Sequence, residues 1–491
     1  MAHVSFNRPV FNLLKEKTIR AVIDEAVNIL ENVGVVIENE AAIKLLSDYG
    51  VKIDKSNSRA FIPCGIVERC LETAPRAVKL YDRDEKEILE LTGDSIYFNP
   101  GSAALNILDY HGKKIRKPVT EDFINFSRIT DHLKYIKAQS TSLICSDVPE
   151  QISDSYRLYL ALMHCSKPII TGTFSKESFS VMKDILIAIR GGKENLREKP
   201  LAIFDACPSP PLKWSNLTCQ SLLDSSRYGI PSELVSMPLS GATAPVTKIG
   251  TLVQHTAETL SGIVITQLAE PGSPVIYGGS PAIFDMRKGT TPMGAIGTMM
   301  IDSAYVQIGK YLGLPTHAYM GLSDSKVVDY QAGLESGIGI IMAALSGINV
   351  ISGPGMLNFE SCQSIEKLVI DNEICGMAYH LIGGISVHEP PFAINLLDSL
   401  KDSSDFLSDP HTLKWFKHEG HFPGDVIDRE SGEGLVSEEM STAWDRANWE
   451  VKKLLDKGEK NPLDQERKQI LKEIMGTEAS KYGFRIRRSE G

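Results

Sequence analysis

Through the middle of the chain, short apolar or β-branched runs break off in clusters of Gly, Pro, Ser, Asn or Asp. They are SIYFN (95–99), YIKAQST (135–141), PIITGTF (168–174), LAIFDAC (201–207), SELVSMPL (232–239), PVIYGG (274–279), PTHAYMG (315–321) and INVISGPG (348–355). Runs of this length between turn residues predict strands. The stretches between them, such as TEDFINFSRITDHL, SYRLYLALMHC, KESFSVMKDILIAI and AYVQIGKYLGL, have helical spacing. Eight strands, each followed by a helix, predict an α/β fold of the (β/α)8 TIM barrel type. Strands apolar on both faces suit a parallel sheet covered by helices. An open doubly wound sheet is the competing arrangement. Against it, no GxGxxG follows the first strand, and eight repeats over about 260 residues match the usual barrel length.

The flanks follow another pattern. Residues 1–94 predict a helical and hairpin extension. TIRAVIDEAVNILENVG places Ile19, Val22, Ile23, Ala26, Val27 and Leu30 on one side, and AVKLYDR with KEILELTG forms a hairpin leading into the first strand. Residues 95–397 are the barrel catalytic domain. Residues 398–491, with DSSDFLSDPHTLKWF and STAWDRANWEVKKLLDKG, predict a polar helical extension. The segment 336–359, SGIGIIMAALSGINVISGPGMLNF, carries no charge and is long enough to cross a bilayer. Gly347, Asn349, Ser352, Gly353, Pro354 and Gly355 break its second half, so it predicts a buried helix to Leu345, a Ser-Gly turn and a buried strand.

Composition narrows the function. The 491 residues are 42% hydrophobic and 23% charged, ordinary for a soluble globular protein. A net charge of -10 argues against a nucleic-acid surface, since the short tail RIRRSEG is the one basic stretch. The start MAHVSFNRPVFNLLKEKT has no apolar core after a basic beginning, so a cytoplasmic location is expected. The eight cysteines are scattered without a CxxC pair, and no HExxH occurs, so reduced buried thiols are expected and no metal site. KHEGH, with His418 and His421, reads as a polar surface segment.

In a barrel the site lies at the carboxyl ends of the strands. There the loop GLSDSKVVDYQAGLES (321–336) packs Asp324, Lys326, Asp329, Gln331 and Glu335 into a short space after strand seven. Asp324 and Glu335 are the candidate catalytic carboxylates. The competing reading makes these residues solvated charges or helix caps, with Asp329 before YQAGLESGIGIIM as an N-cap. The loops SGATAPVT, GGSPAIFDMRKGTT and SGPGMLNFES are rich in small residues. Gly278, Gly279, Gly353 and Gly355 either let backbone approach a ligand or make tight turns. Tyr97, Phe174, Tyr277, Tyr319 and Phe359 lie near strand ends, as core or as an aromatic cage for a cation. His317, inside a strand, faces either the lumen or the helices.

SDSKVVDYQAGLES, MPLSGATAPVT, and FLSDPHTLKWF followed by DRE together resemble the trimethylamine methyltransferase family of corrinoid-dependent enzymes, over almost the whole chain. The resemblance implies a (β/α)8 barrel that moves a methyl group from a methylated amine to the cobalt of a separate corrinoid protein. The corrinoid (cobalamin) is expected to stay with that partner, because this chain has no DxHxxG motif. Family members acting on trimethylamine carry pyrrolysine near the strand-seven loop. This sequence has standard residues throughout, like members that demethylate quaternary amines, glycine betaine foremost. The implied reaction turns glycine betaine into dimethylglycine, with carnitine, proline betaine and γ-butyrobetaine as rival donors.

A quaternary nitrogen has no lone pair and leaves as a neutral tertiary amine, so the site must hold the methyl carbon in line with Co(I), away from water. Aromatic faces and a carboxylate would hold the cation, and Arg287, Lys326, His317 or Gln331 the substrate's polar end. A homo-oligomer is expected, with neither nucleic acid nor membrane as partner. Two other classes compete: a barrel aldolase or isomerase binding a sugar phosphate at strands seven and eight, and a non-catalytic quaternary-amine-binding protein.

Overall fold

The computed structural model describes residues 8–86, 88–388, 390–399, 405–431 and 442–486. The first residues of the amino-terminal stretch, the end of RIRRSEG, Asp402–Ser404 and Ser441 lie outside the described residues. All eight predicted strands are present: β1 (Tyr97–Asn99), β2 (Gln139–Ser140), β3 (Ile169–Gly172), β4 (Ala202–Ala206), β5 (Ser232–Ser236), β6 (Val275–Gly279), β7 (His317–Tyr319) and β8 (Val350–Ser352). Each is followed by a helix: α1 (Thr120–His132), α2 (Ser153–His164), α3 (Lys176–Arg190), α4 (Asn216–Tyr228), α5 (Lys248–Ala269), α6 (Ile296–Tyr311), α7 (Tyr330–Ser346) and α8 (Ile365–Ile382).

The strands pair in parallel as one ladder, β6-β5-β4-β3-β2, and a second, β7-β8-β1. Single parallel bridges, Phe98 to Ile136 and Tyr277 to Thr316, lie between the two ladders. The fold is α/β, and alternation along the strands sorts its side chains. At the amino-terminal level, Ala138, Ile170, Ile203, Ile276 and Val350 form one apolar cluster with Val78, Leu80, Leu89 and Leu91. The last four belong to the antiparallel hairpin Val78–Tyr81 and Ile88–Leu91, which therefore covers that end. Further along the same inward faces the residues turn polar, with Asn99, Asp205, Glu233, His317 and Ser352. The alternate positions Phe204, Leu234 and Tyr277 join the main core beneath the helices.

The helix Glu16–Asn32 buries Ile19, Val22, Ala26 and Leu30 against α5, while Ile23 and Val27 are half-buried. Helices Ala443–Asp456 and Gln465–Lys481 pack against α8 and α3. The uncharged segment behaves as its glycines predict. Helix α7 ends at Gly347, whose φ of 65° is the left-handed conformation of a helix C-cap, and β8 follows. Among the described residues no helix is long and apolar enough to cross a membrane.

Candidate active site

A cavity of about 260 Å³ opens at the carboxyl ends of the strands. Every strand or its following loop contributes to its wall: Ser102, Thr141, Phe174, Asp205, Val235 and Met237, Ser280, Tyr319 and Glu360, in chain order from β1 to β8. Beneath it lies a polar layer built by strand register. Asp205 and Glu233 are opposite each other on β4 and β5, so parallel pairing brings two inward carboxyls side by side. Burial pushes both well above the usual carboxylate range, and the neighbouring Glu233 charge raises Asp205 further.

His317 Nδ1 lies 2.8 Å from Glu233 Oε1, with both side chains fully buried. Burial holds the imidazole down, to about 4. At neutral pH this contact joins a neutral ring to a protonated carboxyl, and it is not an ion pair. The hydrogen-bond chain assigns the tautomer. Asn99 donates from Nδ2 to the Pro100 carbonyl, so its Oδ1 accepts from Ser352 Oγ at 3.0 Å. Ser352 Oγ then accepts from His317 Nε2 at 3.0 Å, leaving Nδ1 as the acceptor that faces Glu233. Gly278 makes room for this arrangement, because a Cβ there would meet His317 Nδ1 at 3.1 Å and Glu233 Cγ at 3.2 Å.

The loop after β8 holds the residue that pattern reasoning missed. Asn358, Phe359 and Glu360 have φ of 51°, 55° and 65°, three successive non-glycine residues in the left-handed region. Each costs about 1–2 kcal/mol relative to an ordinary conformation. The turn is pinned by reciprocal bonds between Asn358 and Ser361 (2.8 and 2.6 Å) and by Asn358 N–H donating to the Ser325 carbonyl at 2.8 Å. It aims Glu360 at the cavity, where Ser280 Oγ approaches at 3.4 Å. Desolvation raises this carboxyl to about 7, the Ser280 contact lowers it, and the charge on Asp324 raises it.

The strand-seven loop is placed otherwise. Asp324 is buried and accepts from Met293 N–H (2.9 Å) and Gly294 N–H (3.0 Å), so it ties the β6–α6 connection to this loop. Burial nonetheless raises it, to about 6. Glu335 Oε2 accepts from Ser323 Oγ (2.6 Å) and Asp324 N–H (2.8 Å), and its Oε1 accepts from Gln331 at 3.0 Å. Asp329 caps α7, accepting from Ala332 N–H. Lys326 stands over the Phe359 ring, 4.5 Å from its centre. None of Asp324, Lys326, Gln331, Glu335 and Phe359 lines the cavity; the loop instead buttresses the turn carrying Glu360.

Phe174 and Tyr319 line the cavity, and His317 lies in the layer beneath. Tyr97 is at the opposite end, packed on the hairpin cluster with its hydroxyl accepting from Glu90 N–H. Tyr277 points outward to Thr256 on α5, as its place in the strand alternation requires. Arg287 is exposed at 87% and paired with Asp285 at 2.8 Å, away from the cavity. The glycines make room for protein and not for a ligand: a Cβ on Gly279 would strike His255, one on Gly353 the Gly321 backbone, and one on Gly355 Gln363. Among the described residues no group of three His, Cys, Asp or Glu is placed to hold a metal ion.

Known proteins match along nearly the full length. The chain is 29% identical to trimethylamine methyltransferase MttB of Desulfitobacterium hafniense (95% of this chain, 94% of the relative). It is 30% identical to a glycine betaine methyltransferase of the same species (88% and 90%), and 31% identical to MttB of Methanosarcina thermophila (90% and 90%). The crystal structure of the Methanosarcina barkeri monomethylamine methyltransferase MtmB superposes with a TM-score of 0.52 at 10% identity, over 91% of this chain and 89% of that one, and so shares the fold. The description "Trimethylamine methyltransferase (MTTB)" covers residues 1–483, and the chain belongs to that family of methyl-transferring enzymes.

Proposed function

We propose that this enzyme moves a methyl group from a small quaternary ammonium compound to a corrinoid carried by a separate protein. We read the eight strands as a closed (β/α)8 barrel, with 1–94 and 398–491 wrapping it. The observation carrying the reading is that one cavity brings the ring of Tyr319 together with the carboxyl of Glu360, with Phe174 at its exposed rim. Aromatic faces and a carboxylate in a desolvated pocket attract a cation that cannot donate a hydrogen bond. Membership of a methyltransferase family sets aside the aldolase or isomerase and the non-catalytic binder. The standard residues throughout the sequence support a quaternary donor over trimethylamine.

The residues at the mouth suit a corrinoid presented from outside. Phe174 and Met237, 62% and 37% exposed, give the rim an apolar surface against which a flat macrocycle can lie. Bound there, the corrinoid would supply a Co(I) electron pair that takes the methyl carbon while the C–N pair stays on the departing tertiary amine. This chain holds the nitrogen beneath the mouth, orients one methyl outward and keeps water away. His317 and Glu233, both uncharged, shape the floor without exchanging protons with the donor, since a quaternary nitrogen offers none. Among the betaines, glycine betaine is the first donor to try, followed by carnitine, proline betaine and γ-butyrobetaine. Cytoplasmic residence and assembly as a homo-oligomer accompany the reading.

The test is methyl transfer to free Co(I)-cobalamin against a panel of quaternary amines and trimethylamine. Loss of the Co(I) absorption with a quaternary amine is the expected result. Turnover of trimethylamine in preference to every quaternary amine would overturn it.

A further inference from the structure

Glu360 brings to the cavity wall an acid whose hydrogen-bond contact is a neutral hydroxyl. Asp205 and Glu360 stand in that wall, and Asp205 Oδ1 is buried without a hydrogen-bond partner. Behind them, Glu233 and Asp302 are fully buried; Glu233 Oε1 stands 2.8 Å from His317 Nδ1, and both carboxyl oxygens of Asp302 lack a hydrogen-bond partner. Asp302 feels the charge of Glu360, and Glu360 that of Asp324, so these carboxyls form one electrostatic group.

The opposing charges are already committed. Arg157 is the cationic side chain of the cavity wall. Its guanidinium donates to Asp154 Oδ1 and to the Thr141 carbonyl, each at 2.9 Å, and lies over Phe174 at 5.3 Å. Asp154 neutralises it at 2.9 Å, with both side chains almost wholly buried. Lys326 lies outside the wall, bonded to the Asp324 carbonyl at 3.3 Å and seated over Phe359. The remaining polar groups of the wall, such as Ser102, Thr141, Thr173 and Ser280, are neutral hydroxyls.

A betaine would bring its own carboxylate towards Glu360, which repels a like charge once it ionises above about 7, while Asp205, Glu233 and Asp302, which burial holds towards the uncharged form, offer that carboxylate no cation. A donor with net positive charge supplies what the site lacks. Resting on the methyl-donor reading above, we infer that the preferred donor is a net cation, a quaternary ammonium whose other substituents are alkyl or hydroxyl, and that Glu360 is the counter-ion selecting it over a betaine with a carboxylate beside the nitrogen. The strained turn Asn358–Glu360 supports this role, because three left-handed residues persist where the surroundings fix a side chain for use. This order places choline and tetramethylammonium ahead of the betaines.

The test is calorimetric titration of the full chain at pH 8 with tetramethylammonium, choline and glycine betaine, each also offered as methyl donor to free Co(I)-cobalamin. Wild type should bind at least one of the two cations about tenfold or more tightly than glycine betaine. Glu360→Gln should lose most of that preference with an unchanged thermal midpoint, and Glu360→Asp should keep part of it. Glycine betaine binding as tightly as the cations, or a preference untouched in Glu360→Gln, overturns the inference. Methyl transfer favouring glycine betaine overturns the charge selection and leaves the methyl-transfer reading standing. Selective cation binding without methyl transfer from any donor supports the charge selection and removes the methyl-transfer reading. Failure to bind any of the three removes both.

Discussion

Two acidic segments meet at the mouth of this protein, and they are built in opposite ways. In Ser323–Glu335, carboxylates are numerous and satisfied: Asp324 accepts two backbone N–H groups, Glu335 a third along with a hydroxyl, and Asp329 caps a helix. In Asn358–Glu360 there is one carboxyl, carried on a left-handed turn and reached by a single hydroxyl at 3.4 Å. A satisfied carboxylate has spent its acceptors on the fold. An unsatisfied one aimed into a cavity still has them to offer. A carboxylate's value to a ligand therefore lies in what it has left unbonded and not in how many charges surround it.

The strongest way to break this contrast is Glu360→Gln. If the carboxylate holds the cation, kcat/KM for methyl transfer should fall by on the order of tenfold to a hundredfold, since two unit charges about 5 Å apart at an effective dielectric of about 20 attract by roughly 3 kcal/mol. The thermal midpoint should hold or rise slightly, because a poorly partnered carboxyl is replaced by a neutral amide of the same shape.

Asp324→Ala should do the reverse. It strands the N–H groups of Met293 and Gly294, costing about 2 kcal/mol of stability, read by denaturant unfolding. The loop buttresses the Glu360 turn, so some activity should go, but less than about tenfold measured well below the midpoint.

The pH profile sharpens the contrast. Glu360 is raised from its ordinary 4.5 to about 7, mainly by desolvation. Its ionised form binds the cation, so kcat/KM should climb as pH passes through about 7, falling about tenfold per pH unit on the acid side. Glu360→Gln should flatten that limb. The sign for stability is opposite. Between about 4.5 and 7 the native state binds more protons at this site than the unfolded chain, so the Glu360 contribution to stability declines as pH rises through that window. The thermal stabilisation given by a bound quaternary cation should grow across the same window.

The smallest expected effect is that of Arg287→Ala. The side chain is exposed and bonded within its own turn to Asp285, so both stability and turnover should stay within about 0.5 kcal/mol of wild type.

Much of the fold was legible in the sequence because its signals are local. Eight apolar runs ending in turn residues became eight strands, the hairpin before them formed as its pattern predicted, and Gly347 stopped α7 where the break in the uncharged segment was read. The site was less legible. Tyr97 and Tyr277 lie in strands, as expected, but the period-2 alternation and the level along the strand decide whether a ring meets the cavity, the hairpin or the helices. Counting charges drew attention to Asp324, whose partners are backbone groups from elsewhere in the chain, and to Glu335, which is bonded to Ser323, Asp324 and Gln331 of its own segment. Asp205 and Glu233 carry the one sequence signal that could have been used, a single acid inside each of two otherwise uncharged strands. Glu360 had none, because NFES does not announce three left-handed residues.

The assignment at stake is that Glu360, and not the strand-seven carboxylates, holds the methyl donor. It is tested most directly by measuring methyl transfer to Co(I)-cobalamin and the thermal midpoint on the same preparations of wild type, Glu360→Gln and Asp324→Ala. Glu360→Gln should keep its midpoint and lose at least about tenfold in kcat/KM, while Asp324→Ala should lose midpoint and keep most of its rate. A Glu360→Gln enzyme as active as wild type, beside an Asp324→Ala enzyme that is stable and inactive, would contradict it and return the site to the strand-seven loop.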